Sequence, residues 1–185
     1  WIYTVKVWKI YLKKTDLFLF NGDMVSIAED QEQLFGGFMD KSVELFAGSV
    51  PMYYCRGNHE TRGPMAPEFQ QYFNPKEEEL FYMFRQGPVC FVVLDCGEDK
   101  PDDTPVYYDL NDFSQLRKDQ VGFLKQEMAS KAFKKAKKRI LIHHIPLYGY
   151  EGNLCNDLWR PVLEKAPFDI CLNAHLHKYA YYPKG

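Results

Sequence analysis

Short apolar runs alternate with longer amphipathic segments along this chain, which is the pattern of an α/β protein. Residues 17–20 are apolar and end at a polar Asn-Gly-Asp turn, as a buried parallel strand does. Residues 29–46 place apolar side chains mostly three or four positions apart, which predicts a helix, and residues 50–55 predict a second strand. The first third of the chain therefore predicts a strand-helix-strand unit with polar residues at the strand ends.

The alternation continues through the rest of the chain. Two apolar runs, over residues 80–85 and 89–95, flank a Gln-Gly-Pro turn and predict a β-hairpin. After them come a long helix, a strand, a shorter helix and a last strand, predicted over residues 114–137, 140–142, 158–165 and 168–172. Because no repeat or linker interrupts this order, we predict one α/β domain over residues 1–185.

The composition is that of a packed globular domain. The 185 residues are 46% hydrophobic and 16% aromatic, which is enough for a sizeable core. Lys and Arg number 23 against 25 Asp and Glu, a formal net charge of −2, so nucleic acid is not an expected partner, although composition does not exclude it. No apolar run reaches the roughly 18 to 20 residues that a bilayer requires, and no membrane partner is predicted.

The five cysteines are predicted to be reduced thiols, because C-x-x-C pairs are absent and four of them lie in or beside apolar runs, at Cys55, Cys90, Cys96 and Cys171. Reduced thiols favour the cytoplasm. Export is not excluded, since the sequence begins at Trp1 and a leader could lie upstream. The sequence therefore leaves the compartment and the oligomeric state open.

Almost every potential metal ligand lies just beyond the end of a predicted strand. Four separate segments supply carboxylate, amide and imidazole groups, from Asp23, Asn58, His59, His143, His144, His175 and His177. Open α/β sheets bind ligands at that edge, and nitrogen and oxygen ligands without thiolates suit Zn, Mn or Fe. Because two such ions about 3.5 to 4 Å apart support phosphoryl transfer, the sequence predicts metal-assisted hydrolysis.

Four sequence blocks occur in order at these strand ends: residues 17–23, Gly57-Asn58-His59-Glu60, residues 141–146 and Ala174-His175-Leu176-His177. In order and spacing they resemble the motifs of the calcineurin-like metallophosphoesterase superfamily, over residues 14–178. The resemblance implies an α/β fold, a two-sheet β-sandwich flanked by helices in four layers. It also implies a metal-dependent phosphoesterase that hydrolyses phosphate mono- or diesters through a dinuclear metal site and a bridging hydroxide.

The resemblance also assigns the metal ligands. Asp23 resembles the carboxylate that bridges two divalent or trivalent ions, which would be Mn, Zn or Fe. Asn58, His144 and His175 resemble the other ligands of one ion. His177 resembles a ligand of the second ion.

Residues beside these ligands receive supporting roles. In the family, the ligand of the third block precedes proline by two places, which selects His144 and leaves His143 as a residue that either supports a ligand or packs in the core. By the same resemblance, His59 assists catalysis without binding metal. Arg62, and with it Arg56, would bind the phosphate group of a small-molecule phosphate ester.

The chain departs from the family pattern in three places. The family opens with an Asp-x-His block, whereas residues 1–22 contain no histidine and only Asp16 as an acid. We therefore predict a fragment truncated at both ends, which could be inactive by itself. The alternatives are a natural half-site and a degenerate, non-catalytic binding module. Ser26 replaces the tyrosine of purple acid phosphatases, which argues against an iron-phenolate chromophore, and Ala174 replaces a glycine.

Two charged segments are interpreted as solvated surface. Residues 98–103 are acidic but lack the ligand spacing of a calcium loop. Residues 134–139 are basic and lie near the predicted end of a helix, where cations complement the helix dipole. We expect neither segment to bind a ligand.

Overall fold

The computed structural model describes residues 14–73 and 80–183. Within these residues, strands form two sheets: β1 (Phe18–Asn21) pairs with β2 (Met52–Cys55), and the second sheet contains β3 (Tyr82–Gln86), β4 (Val89–Val93), β5 (Lys138–Ile142) and β6 (Ile170–Leu172) in that order. β1 and β2 are parallel, β3 is antiparallel to β4, and β4, β5 and β6 are parallel to one another. The predicted strands are confirmed, with ends shifted by at most two residues.

Helices follow the strands in the predicted order. α1, over residues 31–47, connects β1 to β2 and begins after Asp30, whose side chain accepts a hydrogen bond from the backbone of Gln33. The helices that follow are α2 (Gln70–Phe73), α3 (Phe113–Ala129), α4 (Lys131–Lys134) and α5 (Asn156–Leu163). α1 includes two π-helical stretches, Phe35–Met39 and Val43–Ala47, which the hydrophobic pattern does not predict.

The long helix predicted over residues 114–137 is instead two helices. Ser130 adopts an extended conformation (φ −66°, ψ 154°) that ends α3, and its hydroxyl group then caps α4 by accepting the Phe133 N–H. Serine is favoured at helix caps but also occurs inside helices, so the amphipathic pattern alone did not reveal the break. The last residues of the predicted helix lead into β5, which begins at Lys138.

Side chains of the central strands alternate between two apolar clusters. Val92 of β4 and Leu141 of β5 pack with α3, α4 and α5. Val93 and Ile142, one position further along the same strands, pack with Cys55 of β2 in a cluster that both sheets share. A third cluster lies between α1 and β2. The period-two alternation therefore gives β4 and β5 apolar contacts on both faces of the second sheet.

The structure confirms a mixed α/β chain with two sheets and helices. The four-layer sandwich, the truncation at both ends and the single domain over residues 1–185 remain predictions. The segment that lacks the Asp-x-His block lies mostly outside the described residues, which begin at Lys14. Across the described ranges, no helix has the length and apolar character needed to cross a membrane.

Candidate metal centre

The residues that follow β1, β2 and β5 come into close contact at Gly22 and Gly57. A Cβ atom on Gly22 would lie 2.5 Å from the Cα of Gly57 and would collide with the His144 ring, and the φ angle of Gly22 is +74°. A Cβ atom on Gly57 would lie 2.5 Å from the backbone nitrogen of Asp23. Glycine alone has the small size and the conformational freedom that these positions require. The close approach brings the residues that follow three strands into one cluster.

Asp23 and His144 face each other in this cluster. Oδ2 of Asp23 lies 3.0 Å from Nε2 of His144, which is a buried residue. Burial acts to raise the pKa of Asp23, but the contacts with His144 and His59 outweigh it, so this pKa lies below its ordinary value. Burial acts to lower the pKa of His144, but the contacts with Asp23 and the Asn21 carbonyl group outweigh it and raise that pKa.

One ring nitrogen of His144 faces an acceptor. Nδ1 lies 2.7 Å from the Asn21 carbonyl oxygen, which can only accept, so Nδ1 carries the hydrogen. In the neutral ring, Nε2 then directs a lone pair at the Asp23 carboxylate. Nε2 is buried, and the described residues offer it no hydrogen-bond donor. Such a pair fits a cation between the two atoms, either a proton or a metal ion.

His175 and Asn58 form a second pair beside the first. Nδ1 of His175 lies 3.1 Å from the amide oxygen of Asn58, and Nε2 lies 3.5 Å from Oδ2 of Asp99. The rings of His144 and His175 lie edge to face, with their centroids 5.5 Å apart. One ligand atom each from Asp23, His144 and His175 lie within 4.8 Å of one another. The structure thus brings together four of the five predicted metal ligands.

The donor set suits a first-row metal ion. It contains a carboxylate oxygen, an amide oxygen and two imidazole groups, which are ligands that Zn, Mn and Fe accept. One ring nitrogen of each histidine lies near a protein oxygen, Nδ1 of His144 near Asn21 and Nε2 of His175 near Asp99, as is usual for metal-binding histidines.

His177, the fifth predicted ligand, is exposed and lies outside this group among the described residues. His175 and His177 both have positive φ angles, of 67° and 50°, whereas Ala174 does not.

His59 and Arg62 lie beside the cluster and contact each other. The backbone N–H of His59 donates to Oδ1 of Asp23 at 3.2 Å, and its ring Nδ1 lies 2.9 Å from the Ser26 carbonyl oxygen. Nη1 of Arg62 lies 3.2 Å and 3.4 Å from the two ring nitrogens of His59. Nε and Nη2 of Arg62 donate to Glu98 at 3.0 Å and 2.8 Å. Most of the Arg62 guanidinium group is therefore occupied by a protein carboxylate.

Arg56 and His143 make buried contacts away from the metal ligands. Nη2 of Arg56 pairs with Asp95 at 2.8 Å, and both side chains are buried. The structure therefore pairs Arg56 with a protein carboxylate, and phosphate binding by Arg56 stays a prediction. Nδ1 of His143 lies 2.8 Å from the Ile145 carbonyl oxygen, and Nε2 lies 2.9 Å from Sγ of Cys171. These are packing contacts of the kind predicted for His143.

Three acidic residues near the ligands have roles that the sequence pattern did not predict. Glu60 is fully buried and accepts several hydrogen bonds. Glu98 is also buried and pairs with Arg62, whereas Asp99 pairs with Lys100 at 2.9 Å and lies beside the second histidine pair. Burial acts to raise the pKa of Asp99, but contacts with Glu98 and Lys100 outweigh it and lower that pKa. The interpretation of the acidic segment as solvated is therefore wrong for its first two residues.

One signal could have located Glu98 and Asp99. Both come shortly after β4, whose carboxyl end lies at the same edge of the second sheet as those of β5 and β6. The argument from strand ends that selected the histidines therefore applies to them too. Their acidic character alone suggested solvent exposure. The cation that pairs with Glu98 from a distant position in the sequence is Arg62, whose proximity the local sequence does not reveal, and the other, Lys100, is its near neighbour in the loop.

The chain was compared with known protein families. The model of the family described as calcineurin-like phosphoesterase matches residues 2–179 of the chain. A search of curated proteins gives no match.

Proposed function

Because the chain belongs to the calcineurin-like phosphoesterase family, we propose that it is a metal-dependent phosphoester hydrolase whose metal centre lies at Asp23, Asn58, His144 and His175. The observation that supports this proposal most directly is the contact between Asp23 and His144, in which two acceptor atoms lie 3.0 Å apart. A metal ion held there would polarise a phosphate ester and lower the pKa of water. The proposed substrate is a small-molecule phosphate mono- or diester.

His59 is the acid-base residue in this proposal. Its backbone N–H donates to Asp23, which keeps the ring next to the ligands. Because Nδ1 lies 2.9 Å from the Ser26 carbonyl oxygen, Nδ1 carries the hydrogen of the neutral ring. Nε2 is then the atom that takes up a proton and delivers it to the leaving oxygen. Nη1 of Arg62 lies beside the same ring, where it can bind a phosphate oxygen while Glu98 holds the other nitrogens.

We propose two ions, each Mn, Zn or Fe, as the family resemblance implies. Asn58, His144 and His175 hold one ion together with Asp23, and His177 with Asp23 holds the other. The exposed position of His177 favours a second candidate function, a non-catalytic binding module with one ion. Metal stoichiometry and turnover distinguish the two candidates.

The test uses chain stripped of metal and reloaded with Mn²⁺, Zn²⁺ or Fe²⁺. We expect metal-dependent hydrolysis of 4-nitrophenyl phosphate or of bis(4-nitrophenyl) phosphate, and loss of that activity in Asp23→Asn and His144→Ala. Lys125→Ala, on the exposed side of α3, is the control that keeps activity. Because residues 1–185 are predicted to be a fragment that could be inactive by itself, the decisive assay uses full-length protein with its upstream segment. Full-length protein that binds metal but hydrolyses neither ester supports the binding module, and one that binds no metal contradicts the metal centre.

A further inference from the structure

Glu60 buries a carboxylate group beside the metal centre. Its side chain is fully buried in the turn that follows Asn58. Oε1 accepts hydrogen bonds from the Met24 N–H at 2.6 Å, the Val25 N–H at 3.3 Å and the Tyr54 hydroxyl group at 2.6 Å. Oε2 accepts from the Asp23 N–H at 3.0 Å and the Gly57 N–H at 2.9 Å. All five partners are donors, so the group accepts as a carboxylate.

Four of the five donors belong to the two loops that carry proposed metal ligands. Three are consecutive backbone N–H groups of residues 23–25, directly after β1. A fourth is the N–H of Gly57, the residue before Asn58, and the fifth is on β2. Without this acceptor, the N–H groups in both loops would have to find other partners in a buried region. The Glu60 carboxylate therefore joins the loop of Asp23 to the loop of Asn58.

The charge of Glu60 lies beside the same centre. Among the described residues, no Lys or Arg forms an ion pair with it. A buried charge without an ionic partner is costly unless hydrogen bonds stabilise it, which explains the number of donors. The carboxylate lies within the turn that carries Asn58, with the Asp23 N–H among its donors.

We infer that Glu60 is a positioning residue of the metal centre, which fixes the separation of Asp23 from Asn58 and thereby determines how tightly the centre binds a cation. This inference rests on the proposed metal centre. The alternative is that Glu60 stabilises the fold without affecting the metal ligands. The two can be separated because a structural role changes stability, whereas a positioning role changes metal affinity at a given stability.

The experiment compares two site variants, Glu60→Gln and Tyr54→Phe, with Leu124→Ala. Leu124 is a buried residue of α3 in the hydrophobic core, so Leu124→Ala is a control of reduced stability. Mn²⁺ affinity is measured by calorimetry, the visible spectrum is recorded with Co²⁺, and the thermal midpoint is measured on metal-free protein. In Glu60→Gln, one carboxylate oxygen becomes an NH₂ group that faces backbone donors. We expect its Mn²⁺ dissociation constant to rise about 10- to 100-fold, with an altered Co²⁺ spectrum.

The remaining variants make the test decisive. Tyr54→Phe removes one donor and keeps the carboxylate, so we expect a smaller increase of about threefold in the dissociation constant. Leu124→Ala should lower the thermal midpoint and leave affinity and spectrum unchanged. If Glu60→Gln does not fold, the comparison of Mn²⁺ affinity between Tyr54→Phe and Leu124→Ala tests the inference. Wild-type affinity in both site variants overturns the inference, whereas a wild-type chain that binds no Mn²⁺ overturns the metal centre itself and the inference with it.

Discussion

His143 and His144 are adjacent in the sequence but differ in what they bind. Both rings direct Nδ1 at a backbone carbonyl oxygen. Nε2 of His143 lies 2.9 Å from the thiol group of Cys171, which is a donor, whereas Nε2 of His144 lies 3.0 Å from the carboxylate of Asp23, which is an acceptor. The first histidine is therefore satisfied by the protein, and the second requires a cation.

Burial does not distinguish these two histidines. They are 0% and 1% exposed, so either would be classed as a core residue by accessibility. Successive residues at the end of β5 point to opposite sides, one toward the thiol of β6 and the other toward the loop after β1. The hydrogen-bonding character of the partner therefore distinguishes the proposed metal ligand His144 from its neighbour His143.

The largest expected effect is that of His144→Ala. This change removes a proposed metal ligand, so we expect the Mn²⁺ dissociation constant to rise more than about 100-fold, beyond the effect typical of residues that only support ligands. Calorimetry measures the affinity, and circular dichroism checks that the variant is folded. An affinity within tenfold of wild type would show that His144 does not bind the ion.

Asp99→Ala should have a smaller effect on the other histidine pair. Because Oδ2 of Asp99 lies 3.5 Å from Nε2 of His175, its loss frees the ring to rotate, and we expect the Mn²⁺ dissociation constant to rise about 10-fold. Asp99→Asn keeps an acceptor oxygen, so we expect a smaller rise in the Mn²⁺ dissociation constant. Asp103→Ala is the matched control, since Asp103 is exposed in the same loop. Equal affinities in all three variants would contradict a role for Asp99.

His143→Ala should change stability and leave the metal affinity almost unchanged. The substitution removes one of the two donors to the Ile145 carbonyl oxygen, leaving Asn153 Nδ2 at 2.6 Å, and takes the imidazole away from the Cys171 thiol group. We expect a loss of about 2 kcal/mol in the free energy of unfolding. Urea unfolding of metal-free protein measures this loss. Cys171→Ala should give the same pattern with a smaller loss. A fall in metal affinity comparable to that of His144→Ala would remove the distinction between the neighbours.

Local patterns were sufficient to predict the elements of the fold but not their assembly. The apolar run before Asn21 and the run before His143 each predict a strand that ends at polar residues, as observed. The division into two sheets depends on pairing between strands that are distant in sequence, such as β1 with β2 and β5 with β6. Nothing in a single strand's hydrophobicity specifies that pairing. The break at Ser130 was missed for a similar reason, because a helix cap is defined by conformation as well as by residue type.

The candidate site was predictable where side chains supply the chemistry. Residue type and position after a strand placed Asp23, Asn58, His144 and His175 among seven candidates, and the family resemblance then assigned these four and His177 as ligands. The structure places the first four next to one another. The role of Glu60 was not predictable, because four of its five partners are backbone N–H groups, which carry no sequence signal. His177 has the expected residue type, but it is exposed and lies outside the group among the described residues.

The smallest expected effect is a pH dependence of the Asp23–His144 contact in metal-free protein. Asp23 has a lowered pKa, so its contribution to stability is present above its unfolded value of 3.8 and is lost as the pH falls through the folded pKa. His144 has a raised pKa, so its contribution is complete below its unfolded value of 6.5 and is lost as the pH rises through the folded pKa. The contact therefore stabilises the metal-free chain most between these two values.

A cation reverses this dependence at the upper end, because a metal ion binds the neutral form of His144. We therefore expect the stability difference between wild type and Asp23→Asn to be larger at pH 5.5 than at pH 8.5 without metal, and larger at pH 8.5 with saturating Mn²⁺. Urea unfolding at the two pH values, without and with Mn²⁺, measures both differences. For the control Lys125→Ala, we expect the difference in stability from wild type to depend neither on pH nor on Mn²⁺. Since His143 is not a predicted metal ligand, the difference in stability between wild type and Cys171→Ala should not reverse on adding Mn²⁺. A reversal there too would mean that the ion acts on the whole fold rather than on the contact between Asp23 and His144.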